Sequence, residues 1–155
     1  MDTTYKQKIK EKSREIIWNH AVSSLTGCRY KALILNENYL KKLRKHIYAK
    51  TGYLITERIF NDYLSFSHSI YGKKRPCDLN VAFFCGPEPE NDIRILQRLG
   101  VRLERMYAFE YDNKCFKTAV ASIEKEYPQV KIFNGKIETF TESHNTTFDI
   151  IYLST

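Results

Sequence analysis

Two short stretches place side chains that can do chemistry in a pattern that repays a physical reading. The first is Cys85-Gly86-Pro87-Glu88, followed at once by Glu90 and Asp92; the second is Glu110-Tyr111-Asp112. Each follows an apolar run, so each is a turn leaving a strand. A carboxylate that closes a strand, as Glu110 does, can accept hydrogen bonds from ribose hydroxyls. A turn with one glycine and three nearby carboxylates is poor ground for a pyrophosphate, which wants several glycines and bare backbone N–H groups at a helix start. It is better ground for a ligand that carries positive charge. Other chemistries find less support. Cys85 has no histidine near it in sequence to activate it as a nucleophile. The four cysteines and four histidines are scattered, with no C-x-x-C pair, so reduced thiols and no metal site are expected. No catalytic residue can be assigned from the sequence.

These residues need elements to position them. Leu79 to Phe84 is a continuous apolar run, suited to a strand buried on both faces of a parallel sheet. Gly86 and Pro87 break it, and Pro89 sits comfortably in a first helical turn. Ile93, Leu96 and Leu99 then recur at helical spacing until Gly100. Met106 to Phe109 forms a second strand. Asp112 or Asn113 caps a helix carrying Phe116, Ala119, Val120, Ile123 and Tyr127, and Pro128 stops it. Val130–Phe133 and Phe148–Leu153 are a third and a fourth strand. Strands alternating with helices predict an α/β fold with a doubly wound parallel sheet. In such sheets ligands gather at the carboxyl ends of the strands. Here those ends are Cys85–Glu90, Glu110–Asp112, Asn134–Glu138 and Ser154-Thr155.

The chain ahead of the sheet is different. Residues 1–78 hold 16 Lys+Arg against 7 Asp+Glu, and residues 79–155 hold 9 against 11, so the net +7 belongs to the first half. Three helices are expected there. Residues 4–24 would turn Ile9, Ile16, Ile17 and Ala21 inward. A second helix would start near Asn36 or Asn38, carry Leu40, Leu43 and Ile47, and end at Gly52. A third would be capped by Thr56 and carry Ile59, Phe60, Tyr63 and Leu64. Their basic faces are either a solvated surface over the sheet or a guide for nucleic acid. In the second case lysines contact phosphates and Tyr39, Tyr48, Tyr53, Tyr63 and Tyr71 stack on bases. No apolar run is long enough for a membrane span and the N-terminus has no signal-peptide core, so a soluble cytoplasmic protein is expected. The expected division is a basic helical region, 1–78, and a sheet region, 79–155.

A cationic ligand that also carries a ribose is S-adenosylmethionine: it has no phosphate, and its sulfonium and ammonium groups are positive. Charge at the first turn therefore favours this methyl donor over NAD or ATP. At this point the chain resembles a family. VAFFCGPEPEND is similar to the first motif of the class I S-adenosylmethionine-dependent methyltransferases, YAFEYD to their second strand with its terminal acid, VKIFNGKIETF to the third-strand segment and FDIIYLST to the fourth. The resemblance covers residues 79–153 and implies a partial Rossmann-like sheet with the fourth strand beside the first. It implies that Gly86 approaches the donor's methionine portion, that Glu110 binds ribose and that Lys136 and Ile137 flank adenine, with Cys85, Pro87, Glu88 and Tyr111 also expected to bind the cofactor. Phe84 stands where the family has an acid, Glu88 where it has a second glycine, and Lys136 where it often has another acid.

The family's sheet has seven strands and this chain has four, so a truncated product or fragment is expected, with an incomplete substrate pocket. The alternative is a reduced protein whose fourth-strand edge is covered by the N-terminal helices or by a partner chain. The functional expectation is a methyltransferase-like protein, acting on nucleic acid, incomplete and inactive as this chain. The alternative is a non-catalytic nucleic-acid- or protein-binding module on the same scaffold.

Overall fold

A computed structural model describes residues 3–27, 29–70 and 73–153. Helices α1 (Thr3–Thr26), α2 (Arg29–Thr51) and α3 (Glu57–Ile70) come first. They are followed by β1 (Val81–Phe84), α4 (Glu90–Arg98), β2 (Met106–Glu110), α5 (Asn113–Glu126), β3 (Lys131–Asn134), α6 (Ile137–Ser143) and β4 (Ile150–Tyr152). The fold is α/β, with a wholly parallel four-stranded sheet in the order β3-β2-β1-β4. The fourth strand does lie beside the first, as expected. The chain steps outward from β1 to β3 and then returns to the other side of β1, so the topological switch point falls between β1 and β4.

The register sorts the core into two faces. Val81, Phe83, Met106 and Ala108 lie on one face, in line with Ile150 and Tyr152 of β4. Trp18 of α1 packs on this face, its ring edge-on to Phe83 and Tyr152 at 6.2 and 5.1 Å. On the opposite face Ala82, Phe84, Tyr107, Phe109 and Phe133 meet α6, whose Ile137 and Phe140 complete an aromatic cluster with Phe148. Each fully buried aromatic or aliphatic side chain contributes about 1.5–3 kcal/mol. At the amino end of the sheet, the Asp149 carboxylate accepts from the Asn80 N–H at 2.8 Å, and Arg105 donates to Asn80 Oδ1 at 3.1 Å. That end is closed by its own hydrogen bonds.

Several sequence expectations change. α2 begins at Arg29, ahead of Asn36 or Asn38, because Ala32, Leu33 and Leu35 favour helix and no breaker intervenes. α6 was not anticipated; it is short, and its inward pair Ile137 and Phe140 is too brief a signal to show a period. The inward face of α1 is also different. Ile9, Ile16 and Ile17 are exposed at 49, 59 and 43%, while Trp18 is fully buried. One large ring with a buried hydrogen-bond partner outweighs three branched side chains. Tyr71 and Ser154-Thr155 lie outside the described residues.

By packing, the chain forms two compact units. Residues 1–19 and 75–155 form one unit, and residues 20–74 form the other. The second unit holds ten Lys+Arg against three Asp+Glu; the sheet unit holds fifteen of each. The whole net charge of +7 thus resides in the helical unit. Within it, Arg44 joins α2 to α3, donating to Glu57 at 2.7 Å and lying over the Phe60 ring at 5.3 Å. Thr56 caps α3, its hydroxyl accepting from the Ile59 N–H at 3.3 Å.

Candidate functional site

The carboxyl ends of β1 and β2 are brought side by side by their register. Phe84 pairs with Phe109, and the Cys85 N–H donates to the Phe109 carbonyl at 3.1 Å. The turn after β1 therefore stands next to the acid that closes β2. The third loop joins them, since the Gly135 N–H donates to the Glu110 carbonyl at 3.0 Å. Three of the four loops expected to form a site meet in this way.

Gly86 makes the first turn possible. Its φ of +59° is left-handed backbone, which costs other L-residues about 1–2 kcal/mol. Apart from its two chain neighbours, no described residue has an atom within 4 Å of the point where a Cβ would stand, so the turn is open on that side. Pro87 and Glu88 are exposed, while Pro89 is buried and leads into α4. Cys85 is buried behind the turn. Burial, with the nearby Glu110 carboxylate, pushes its thiol up to about 12, so it stays protonated and is no nucleophile.

Glu110 is only 7% exposed. Its Oε1 accepts from the Asp112 N–H at 2.8 Å, which fixes the rotamer. Its other oxygen accepts no hydrogen bond among the described residues. A carboxylate buried to this degree ordinarily has its acceptor capacity filled. Asp112 itself caps α5, accepting from the Cys115 N–H at 2.8 Å, and that bond holds its carboxyl below the usual range. Tyr111, between the two acids, is exposed and stands edge-on to Phe84 at 6.4 Å.

The three carboxylates of the first turn have separate fates. Asp92 points inward and is 2% exposed; it accepts from Trp18 Nε1 at 2.8 Å and pairs with Arg14 Nε at 3.0 Å. Burial pushes its carboxyl above the ordinary value despite both partners. Glu90 accepts from Ser122 of α5 at 2.9 Å, and Glu88 from Asn91 at 3.2 Å. Of the expected trio of acids, Glu88 alone is exposed. Sequence reading missed Trp18 and Arg14 as supports of this turn. The available signal was the only tryptophan in the chain, set four residues after an arginine on a highly charged helix.

At the third loop Lys136 is exposed, whereas Ile137 is buried with Ala82, Phe109 and Phe140. Of that pair only Lys136 is displayed at the surface. Among the described residues no cluster of His, Cys, Asp and Glu can hold a metal ion, and no helix is long and apolar enough to cross a membrane. No family model, curated protein or solved structure matches the chain.

Proposed function

We propose that the sheet unit binds S-adenosylmethionine in the manner of a methyltransferase domain, with nucleic acid as the methyl acceptor. The observation that carries the reading is Glu110. It is a buried carboxylate at a strand's carboxyl end, locked by the Asp112 N–H, with one oxygen left to accept from a ligand hydroxyl. The open face of Gly86 stands beside it, and the exposed Glu88 favours the donor's cationic end. The Trp18–Asp92–Arg14 network neutralises one acid of the turn, so the charge preference for a cation rests on Glu88 and Glu110. When bound, the donor supplies a methyl group on sulfur. The chain's part is to hold the ribose and methionine ends so that an acceptor atom can approach in line.

Calorimetry with S-adenosylmethionine and with its demethylated product tests the reading. Glu110→Gln removes a charged acceptor, worth about 1.5–3 kcal/mol, and should weaken binding by roughly 10- to 150-fold. No heat at millimolar ligand, with the protein folded by circular dichroism, would refute it.

A second reading is favoured by the separation of charge. The helical unit carries the entire net charge and none of the candidate donor-site residues. A non-catalytic nucleic-acid-binding module built on this scaffold would have that distribution. It predicts nucleic-acid binding with no response to the methyl donor. β4 is an edge strand, paired with β1 on one side, and its outer edge is the proposed place for a partner chain to add a strand. Sedimentation velocity that shows a single monomeric species at all concentrations would count against self-pairing there.

A further inference from the structure

α2 carries a row in which cations and aromatic rings alternate with even spacing. Tyr39, Lys42, Lys45 and Tyr48 follow one another at intervals of three residues, and all four are exposed. Three residues advance about 4.5 Å along a helix and turn back about 60° around it, so the row spans about 13 Å and sweeps one half of the helix surface. The inward positions Leu40, Arg44 and Ile47 occupy the other half. Lys41 pairs with Glu37 at 3.0 Å, and Arg44 is held by Glu57 and Phe60. Lys42 and Lys45 make no ion pair among the described residues. The tyrosines are 62 and 56% exposed, so their ring faces are free to stack.

We propose that this row is a binding surface for single-stranded nucleic acid, with Lys42 and Lys45 contacting successive phosphates and Tyr39 and Tyr48 stacking on flanking bases. The occupant follows from charge and ring type together. Residues 20–74 carry ten Lys+Arg against three Asp+Glu, which suits a polyanion. Tyrosine rings bracketing the cations suit unpaired base faces, which a duplex hides. The assignment names the surface and strand type for the acceptor proposed above. It rests on the nucleic-acid part of that reading, and does not need the donor to bind.

The test is fluorescence anisotropy of the whole chain with a labelled oligothymidylate of about 12 nucleotides. Affinity should fall steeply as salt rises from about 50 to about 200 mM. Lys42→Ala with Lys45→Ala should flatten the log–log salt slope by about 1.4, at about 0.7 per lost phosphate contact. Tyr48→Ala should weaken binding roughly 5- to 150-fold with the slope unchanged, while Tyr48→Phe, which still stacks, should bind as the parent does. A flat salt response, an unaltered slope in the lysine variant, or an indifferent Tyr48→Ala would overturn the proposal. So would equal competition by a duplex of the same length or by phosphatidylserine vesicles. Oligonucleotide binding without donor binding would leave this surface in place and remove the methyltransferase reading; donor binding without oligonucleotide binding would do the reverse.

Discussion

The indole N–H of Trp18 donates to Oδ1 of Asp92 at 2.8 Å, joining residues 74 positions apart in the chain. Arg14, one helical turn before Trp18, reaches the same oxygen at 3.0 Å. The start of α4, and with it the turn at Gly86, is thereby anchored to α1. Replacing Trp18 with Phe keeps most of the packing against Phe83 and Tyr152 but deletes the donor to a buried acceptor. A loss of about 1–3 kcal/mol is expected, read by urea denaturation. A change below the error of that measurement would remove the bond from any account of stability.

Asp92 also sets a pH dependence. Its folded-state carboxyl lies above the ordinary 3.8, chiefly because of burial. Its contribution to stability is therefore complete below 3.8 and declines as pH rises through the folded value. In Asp92→Asn that decline is absent, so the variant should gain on the parent as the solution goes from about pH 4 towards neutrality. Paired denaturation curves across this window check the slope, and a gain in the opposite direction contradicts the assignment.

Asp112 has the opposite sign. The Cys115 N–H holds its carboxyl below the ordinary range, so its contribution is present above 3.8 and is lost as pH falls through the folded value. Asp112→Ala should lower Tm at neutral pH, with the difference from the parent closing in acid. Differential scanning calorimetry at several pH values reads both limbs.

Gly86→Ala separates folding from binding. A Cβ at that position meets no described residue beyond its chain neighbours, so the cost is that of left-handed backbone, about 1–2 kcal/mol. The methyl group would still stand where the proposed ligand approaches. The expected result is a folded protein with S-adenosylmethionine affinity reduced at least about tenfold, which corresponds to 1.4 kcal/mol. Undiminished affinity would move the ligand away from this turn.

Cys85 should be inert. A thiol pushed up to about 12 has about a thousandfold less thiolate near pH 8 than one at its usual 9.0. Mass spectrometry after brief iodoacetamide treatment of the native chain should find Cys77, which is only partly buried, alkylated before Cys85.

The parallel sheet was legible because its strands are short apolar runs ended by turn residues, and those signals are local. Asp112 as a cap and Thr56 as a cap were legible for the same reason. What the sequence hid were relationships across long separations. Asp92 reads as an ordinary first-turn acid until Trp18 and Arg14 arrive from another helix, and then it is a buried strut. Ile9, Ile16 and Ile17 form a plausible inward stripe on composition alone, yet Trp18 decides how α1 lies. At the candidate site, Gly86 and Glu110 could be found from turn and strand patterns. That Ile137 is taken up by the core, and that among the described residues one oxygen of Glu110 accepts no hydrogen bond, required the packing.

Trp18 is the only tryptophan in the chain, and it is fully buried against the element that begins at the candidate turn. The protein therefore carries its own optical probe. Its near-ultraviolet emission comes from one known place, with Asp92 at the indole nitrogen and Phe83 and Tyr152 at the ring edges. Loosening of α1, or a ligand that pulls on the start of α4, changes the colour of that emission without any label being attached.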